Sequence, residues 1–246
     1  MIRDFKALVE RALSLGRKTI AIGAADDAEV IEAVRDAAAL GLADAILVGD
    51  RESILAKAGE TGLPASARIV DIADRTAAAL EAARLVRSGE ADLLVKGALN
   101  TSDFLRAALD KEKGLRAGGL LSHFAAFEIP GEPKLVFASD GGMVVAPELE
   151  EKRQIIRNAV GALHRLGIAE PKVAILTANE QVNPKVRATV DAAALVEDWK
   201  AGAFPSCIVE GPIAFDVATS AESAKRKGLE SRIAGDTDLF IVPSIE

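Results

Sequence analysis

Tyrosine is absent from this 246-residue sequence, tryptophan occurs once, and aromatic side chains make up only 4%. The platforms on which single-stranded bases stack are therefore scarce. Cationic excess is lacking too: 30 Lys and Arg against 37 Asp and Glu leave a net charge of −7, with a pI near 5.1. A nucleic-acid footprint needs a broad basic surface, so that class is set aside. A local basic pocket for a small phosphate ligand is not. The single cysteine, Cys207, forbids an intrachain disulfide and fits a cytosolic, cytoplasmic setting. No apolar run approaches a membrane span. The N-terminal stretch MIRDFKALVERALSLGRK mixes charge into an amphipathic helix, so no targeting signal is expected there.

Several motifs are missing as well. No G-x-G-x-x-G follows the first apolar run, and neither a Walker loop nor a G-x-S-x-G elbow occurs. The two histidines, His123 and His164, are far apart, and Cys207 has no C-x-x-C partner. No metal site is expected. The triplet Asn100-Thr101-Ser102 matches a glycosylation pattern, which is a chance match without a secretory context.

What is present is alternation. TIAIGAA, DAILVGD, ARIVDI and ADLLVKG read as strands, separated by helical patterns over residues 26–40, 51–60 and 75–88, with another helix from about Thr101. Strands that are apolar throughout are buried on both faces, and their alternation with helices implies a parallel sheet. After Gly114 the rhythm changes. Two β-rich runs flank PGEP and predict an antiparallel pair. Alternation then resumes: a helix over 147–166, KVAILTAN, a helix over 183–200, SCIVEGP, a helix near 219–226, and DLFIVPS. The predicted architecture is α/β, with two domains at residues 1–122 and 123–246.

Polar residues gather where strands end, which is where open α/β sheets bind ligands. In VKGALNTSDFLR, Gly97 permits close backbone approach. Asn100, Thr101, Ser102 and Asp103 are potential N-caps whose helix attracts anions. Lys96 adds a point charge, and Arg106 a planar fork suited to phosphate. The competing reading is a plain helix cap with Lys96 and Arg106 lying along the surface. Asp140, in ASDGG, is a base or ligand contact, or else the Asx residue of a turn. Asn179, Glu180 and Asn183, in TANEQVNPK, reach a ligand, or Asn183 only caps a helix begun by Pro184. Glu210 and Asp216 carry the same ambiguity, and His123 reads as a packing residue.

The segments VKGALNTSDFLRAAL, FASDGGMVVAPELEEKRQIIRNA, PKVAILTANEQVNPKVRATVDAAAL, VEGPIAFDVA and AGDTDLFIVPSIE together resemble the phosphate acetyltransferase/phosphate butyryltransferase family. The butyryl-type branch is the nearer, through DGGM, NEQVNPK and GPIAFD. The resemblance covers essentially the whole chain. It implies a two-domain α/β/α sandwich with mostly parallel sheets and a cleft between the domains, like that of isocitrate dehydrogenase. It implies reversible transfer of a short acyl group between CoA and inorganic phosphate. CoA is then a substrate, acyl-CoA and acyl phosphate are the other partners, and no cofactor is permanently bound. A homodimer or larger homo-oligomer is expected. Carried over residue by residue, Lys96, Asp140 and Asn183 become catalytic candidates. Gly97, Asn100, Thr101, Ser102, Arg106, Asn179 and Glu180 become contacts for phosphate and CoA.

One departure bears on activity. Family members continue past VPSIE into a segment that returns to the first domain and carries a Ser-Arg pair linked to catalysis. The alternative expectation is therefore a catalytically impaired chain that binds CoA or phosphate, or serves in assembly. A metal-dependent dehydrogenase of the decarboxylating type ranks third, since it needs acidic metal ligands and a nicotinamide site.

Overall fold

The computed structural model describes residues 2–116 and 118–245. The chain divides into two compact units. The first unit is Val9–Gly118, and the second is Gly119–Glu246 together with Met1–Leu8.

The first unit is a parallel sheet of four strands, β1 (Lys18–Gly23), β2 (Ala43–Gly49), β3 (Arg68–Asp71) and β4 (Leu93–Lys96), in the order β3-β2-β1-β4. Successive strand residues face opposite sides. Ile22, Ala45 and Leu47 pack on α2 (Ala28–Ala39) and α3 (Arg51–Ala58) through Ile31, Val34 and Ile54. Ala21, Ile46 and Val48 pack on α4 (Arg75–Arg87) through Ala78, Ala82 and Leu85. This two-sided burial explains the unbroken apolar runs. The alanine row of α4 brings it very close to β1: a Cβ on Gly23 would lie 2.6 Å from the Ala79 Cα. α5 (Thr101–Ala108) follows β4.

The second unit has five strands in the order β5-β6-β9-β7-β8: β5 (Ala125–Phe127), β6 (Val136–Ser139), β7 (Lys172–Leu176), β8 (Ile208–Ile213) and β9 (Leu239–Ile241). β5 runs antiparallel to β6 across the PGEP turn, as expected, and the other pairings are parallel. On one face, Phe137, Val173, Val209 and Leu239 pack against α6 (Leu149–Arg165) and α7 (Arg187–Lys200). On the other, Val136, Ala174 and Phe240 meet the short α8 (Phe215–Thr219) and α9 (Ala221–Arg226).

Three details differ from the sequence reading. Ile2, Ala7 and Leu8 pack in the core of the second unit. The Phe5 amide there, at the start of α1 (Phe5–Ser14), donates to Glu128 at 2.8 Å. The predicted division at residues 1–122 had assigned this segment to the first domain. The helix read from Asn183 begins four residues later, at Arg187, because residues 183–186 form a turn held by the buried Thr189 hydroxyl. The helix read near 219–226 is two short ones that share Ser220 as a boundary.

Two ion pairs between buried side chains lie in the second unit. Lys134 donates to Asp236 and Asp238, both at 2.6 Å, and so ties β6 to the approach to β9. Lys152 on α6 pairs with Asp191 on α7 at 2.7 Å, both buried.

Candidate active site

In the first unit, strand order reverses beside β1, so β1 and β4 flank the switch point where open parallel sheets take ligands. Their carboxyl ends are laced together: the Gly97 amide donates to the Gly23 carbonyl at 2.9 Å, and Ala98 to Ala24 at 2.7 Å. Ala24 is the one non-glycine residue with positive φ among the described residues, at 58°. For an L-residue this left-handed conformation costs about 1–2 kcal/mol, so the local packing must impose it.

This edge shows what Gly97 does. A Cβ there would meet the Ala24 carbonyl oxygen at 2.1 Å. The close approach that requires glycine is to β1. Lys96 is exposed and folds over its own loop, donating to Leu99 O at 3.0 Å and Gly97 O at 3.3 Å. Asn100 is the N-cap of α5, accepting from the Asp103 amide at 2.8 Å. The first-turn amides of Thr101 and Ser102 have no intrahelical acceptor. Arg106 is 71% exposed and pairs with Asp103 one turn earlier.

A pocket of about 540 Å³ opens at this edge, lined by Asp27, Glu29, Val30, Arg75 and residues 96–100. It gathers Lys96, Gly97 and Asn100, while Arg106 lies outside its lining. Arg75 was missed in the sequence. It stands at the start of α4 and donates to Asp26 at 2.7 Å. The hydrogen bond to Asp26 and its negative charge hold the guanidinium above its ordinary pKa. Its partner lies 49 residues away, so no local signal marks it.

In the second unit, Asp140 follows β6, Asn179 and Glu180 follow β7, and Asn183 precedes α7, all at the carboxyl edge of the sheet. Asp140 is buried at 3% exposure. Its carboxylate accepts from the amides of Gly142 (2.9 Å), Met143 (2.8 Å) and His123 (3.2 Å). These three bonds turn it inward to shape the DGGM loop, the Asx-turn alternative of the sequence reading. His123 lies over that loop: a Cβ on Gly141 would fall 2.5 Å from its Nδ1. The Asn179 side chain accepts from Gln181, and that of Asn183 from Lys185, each closing a turn while staying exposed. Glu180 takes Lys227 at 2.8 Å, and Asp216 takes the same ammonium at 3.0 Å. Those two hydrogen bonds raise Lys227 above its ordinary pKa. Glu210 accepts from Ser231 (2.6 Å) and Arg232 (2.7 Å), a structural duty.

Among the described residues no three His, Cys, Asp or Glu side chains converge as a metal site, and no helix is long and apolar enough to cross a membrane.

Residues 74–246 match the family model described as "Phosphate acetyl/butaryl transferase". A phosphate butyryltransferase of Clostridium acetobutylicum is 42% identical over 247 aligned positions, covering 100% of this chain and 82% of the relative. A phosphate acetyltransferase of Thermotoga maritima is 39% identical, with 97% of this chain and 81% of the relative covered. Among solved structures, a branched-chain phosphotransacylase from Enterococcus faecalis superposes with a TM-score of 0.81 at 30% identity, covering 93% of this chain and 80% of that one.

Proposed function

The chain belongs to the phosphate acetyltransferase/phosphate butyryltransferase family, and from that premise we propose how its residues carry the reaction. The protein is an acyltransferase that moves an acyl group reversibly between CoA and inorganic phosphate. In the direction that consumes acyl phosphate, the CoA thiolate is the nucleophile. Its sulfur bonds to the acyl carbon, the bond from that carbon to the bridging oxygen breaks, and inorganic phosphate leaves with the electron pair. The thiol proton passes to solvent before attack, and the departing phosphate takes one up, so the proton count closes. In reverse, a phosphate oxygen attacks the thioester and CoA leaves as the thiolate. Catalysis is then a matter of positioning two anionic substrates and stabilising charge on the carbonyl oxygen.

In the first unit, Lys96 supplies positive charge, the amides of Thr101 and Ser102 behind the Asn100 cap supply donors, and Gly97 keeps β4 tight against β1. Arg106 joins by exchanging Asp103 for a substrate oxyanion. In the second unit, the exposed amide groups of Asn179 and Asn183 contact substrate. Glu180 sets the NEQ loop through Lys227, and buried Asp140 shapes the DGGM turn rather than moving a proton. The observation that carries this assignment is the gathering of Lys96, Gly97 and the Asn100 cap in one pocket at the switch point.

The acyl group is butyryl or acetyl. CoA acts as substrate rather than as a resident cofactor, and the setting is cytoplasmic. A homo-oligomer is supported by Phe127, Ile129 and Phe215. They are 48%, 44% and 60% exposed and line one apolar pocket of the second unit. Light scattering of the purified chain tests that point. The residue assignment is tested by Lys96→Met: the KM for phosphate should rise about tenfold. An unchanged KM in a folded variant would remove Lys96 from the site.

A further inference from the structure

The pocket at the end of β1 and β4 holds a second cation that the family motifs do not single out. Arg75 and Lys96 both line it, together with Asp27 and Glu29. Spare hydrogen-bonding capacity separates these four groups. Asp27 caps α2, with Oδ1 accepting from the Glu29 and Val30 amides at 2.9 and 3.2 Å, while its charge also acts on Arg75. Arg75 spends one Nη2 bond on Asp26 and has no other partner among the described residues, so Nε and Nη1 remain available. Lys96 donates to two loop carbonyls and keeps a third proton. Glu29 is an exposed acid at the rim without a partner among the described residues. Asp26, with its side chain 11% exposed against 55% for Arg75, fixes the guanidinium from the protein side and leaves its outer edge to solvent.

We infer that Arg75, held by Asp26, binds a phosphoryl group of the substrate in this pocket together with Lys96. With one Nη2 proton given to Asp26, the guanidinium keeps one complete two-donor edge, which matches two phosphoryl oxygens, and a lysine contributes charge without direction. Asp26 is a positioning residue that acts through Arg75. Asp27 and Glu29 oppose the same ligand by their charge. The inference rests on the reading that the chain handles phosphoryl-bearing substrates, and it adds the residue that orients one of those groups. The sources are the phosphates of CoA and inorganic phosphate.

The test is calorimetric binding of CoA, dephospho-CoA and inorganic phosphate to the full 246-residue chain and to Arg75→Ala, Arg75→Lys, Asp26→Asn and Glu29→Gln. Arg75→Ala should weaken a phosphoryl ligand about tenfold or more, with Arg75→Lys and Asp26→Asn falling between it and the parent. Glu29→Gln should tighten the same ligand. Loss with CoA but not dephospho-CoA places the 3′-phosphate on Arg75. Equal loss with both places the diphosphate there, and loss with inorganic phosphate places the transferred group. Arg75 is an exposed surface residue, so far-UV circular dichroism should show the variants folded. If the parent binds these ligands and folded Arg75→Ala binds them within about twofold, the inference is overturned while the acyltransferase reading stands. If the parent binds none of them, both fall.

Discussion

Replacing Gly97 by alanine should be among the most damaging single-atom additions to the first unit. The new Cβ would lie 2.1 Å from the Ala24 carbonyl oxygen, 2.7 Å from its carbon and 2.8 Å from the Gly23 oxygen. All three are backbone atoms, so no side chain can swing aside. Restoring contact to 3.4 Å requires β4 and β1 to part locally by about 1.3 Å. Such a shift breaks the bonds from Gly97 to Gly23 (2.9 Å) and from Ala98 to Ala24 (2.7 Å). Ala24 is fully buried, so its carbonyl would lose its partner away from water. At about 0.5–1.5 kcal/mol for each bond, and about 1–3 kcal/mol for a buried group left unsatisfied, the loss comes to roughly 3 kcal/mol. Gly161, inside α6, is the control: a Cβ there meets nothing within 4 Å, and Gly161→Ala should stabilise by about 0.5–1 kcal/mol through helix propensity. Urea unfolding followed by far-UV circular dichroism measures both. Gly97→Ala should lower the midpoint by about 1 M or more, given slopes of about 1–3 kcal/mol/M. A Gly97→Ala chain within about 0.5 kcal/mol of the parent would refute the argument that contact with β1, rather than with a ligand, requires glycine here.

Other consequences follow from the buried charges and the lone thiol. Lys134→Met leaves the Asp238 carboxylate buried without its ammonium, and should cost about 3–5 kcal/mol in chemical unfolding; a loss under about 1 kcal/mol would mean the network contributes little. Asp236 is held below its ordinary pKa by hydrogen bonds from Lys134 and Lys172. Its contribution is present above the unfolded carboxylate value and is lost as pH falls through the lower folded value. Asp236→Asn should therefore melt below the parent at pH 7, and the gap should begin to close below about pH 4 and vanish only below the lowered folded value. Parallel melting curves across that range would contradict the assignment. Burial pushes the Cys207 thiol up to about 11, so it should resist a thiol reagent at pH 8 while the chain is folded and react on unfolding. Prompt labelling of the native chain would show that it is open to solvent.

The strand and helix sequence was legible because most of it depends on local pattern. Ile22 and Leu47 face one helix layer while Ala21 and Ile46 face the other, and such two-sided burial writes itself as an unbroken apolar run. Asp27, Asp50, Asp74 and Asn100 each cap a helix just after a strand, which is a short-range signal. The losses lie where a distant residue decides. Pro184 looked like a first helical turn, yet the buried Thr189 hydroxyl holds residues 183–186 in a separate turn. The close contact of Gly97 with Ala24 carries no local signal, because the two lie 73 positions apart. Arg75 went unnoticed for the same reason, since Asp26 orients it from another loop. The pairing of Arg106 with Asp103 was within reach, because three-residue spacing on a helix brings opposite charges together.

Acyl transfer between CoA and phosphate is tested most directly by the stoichiometry of that exchange by the 246-residue chain. Butyryl-CoA or acetyl-CoA is supplied with and without inorganic phosphate, while free thiol is measured with a thiol reagent and acyl phosphate by phosphorus NMR. Thiol release should require phosphate and match the acyl phosphate formed, one for one. Thiol release that ignores phosphate, or none from a folded chain that binds both substrates, would contradict it.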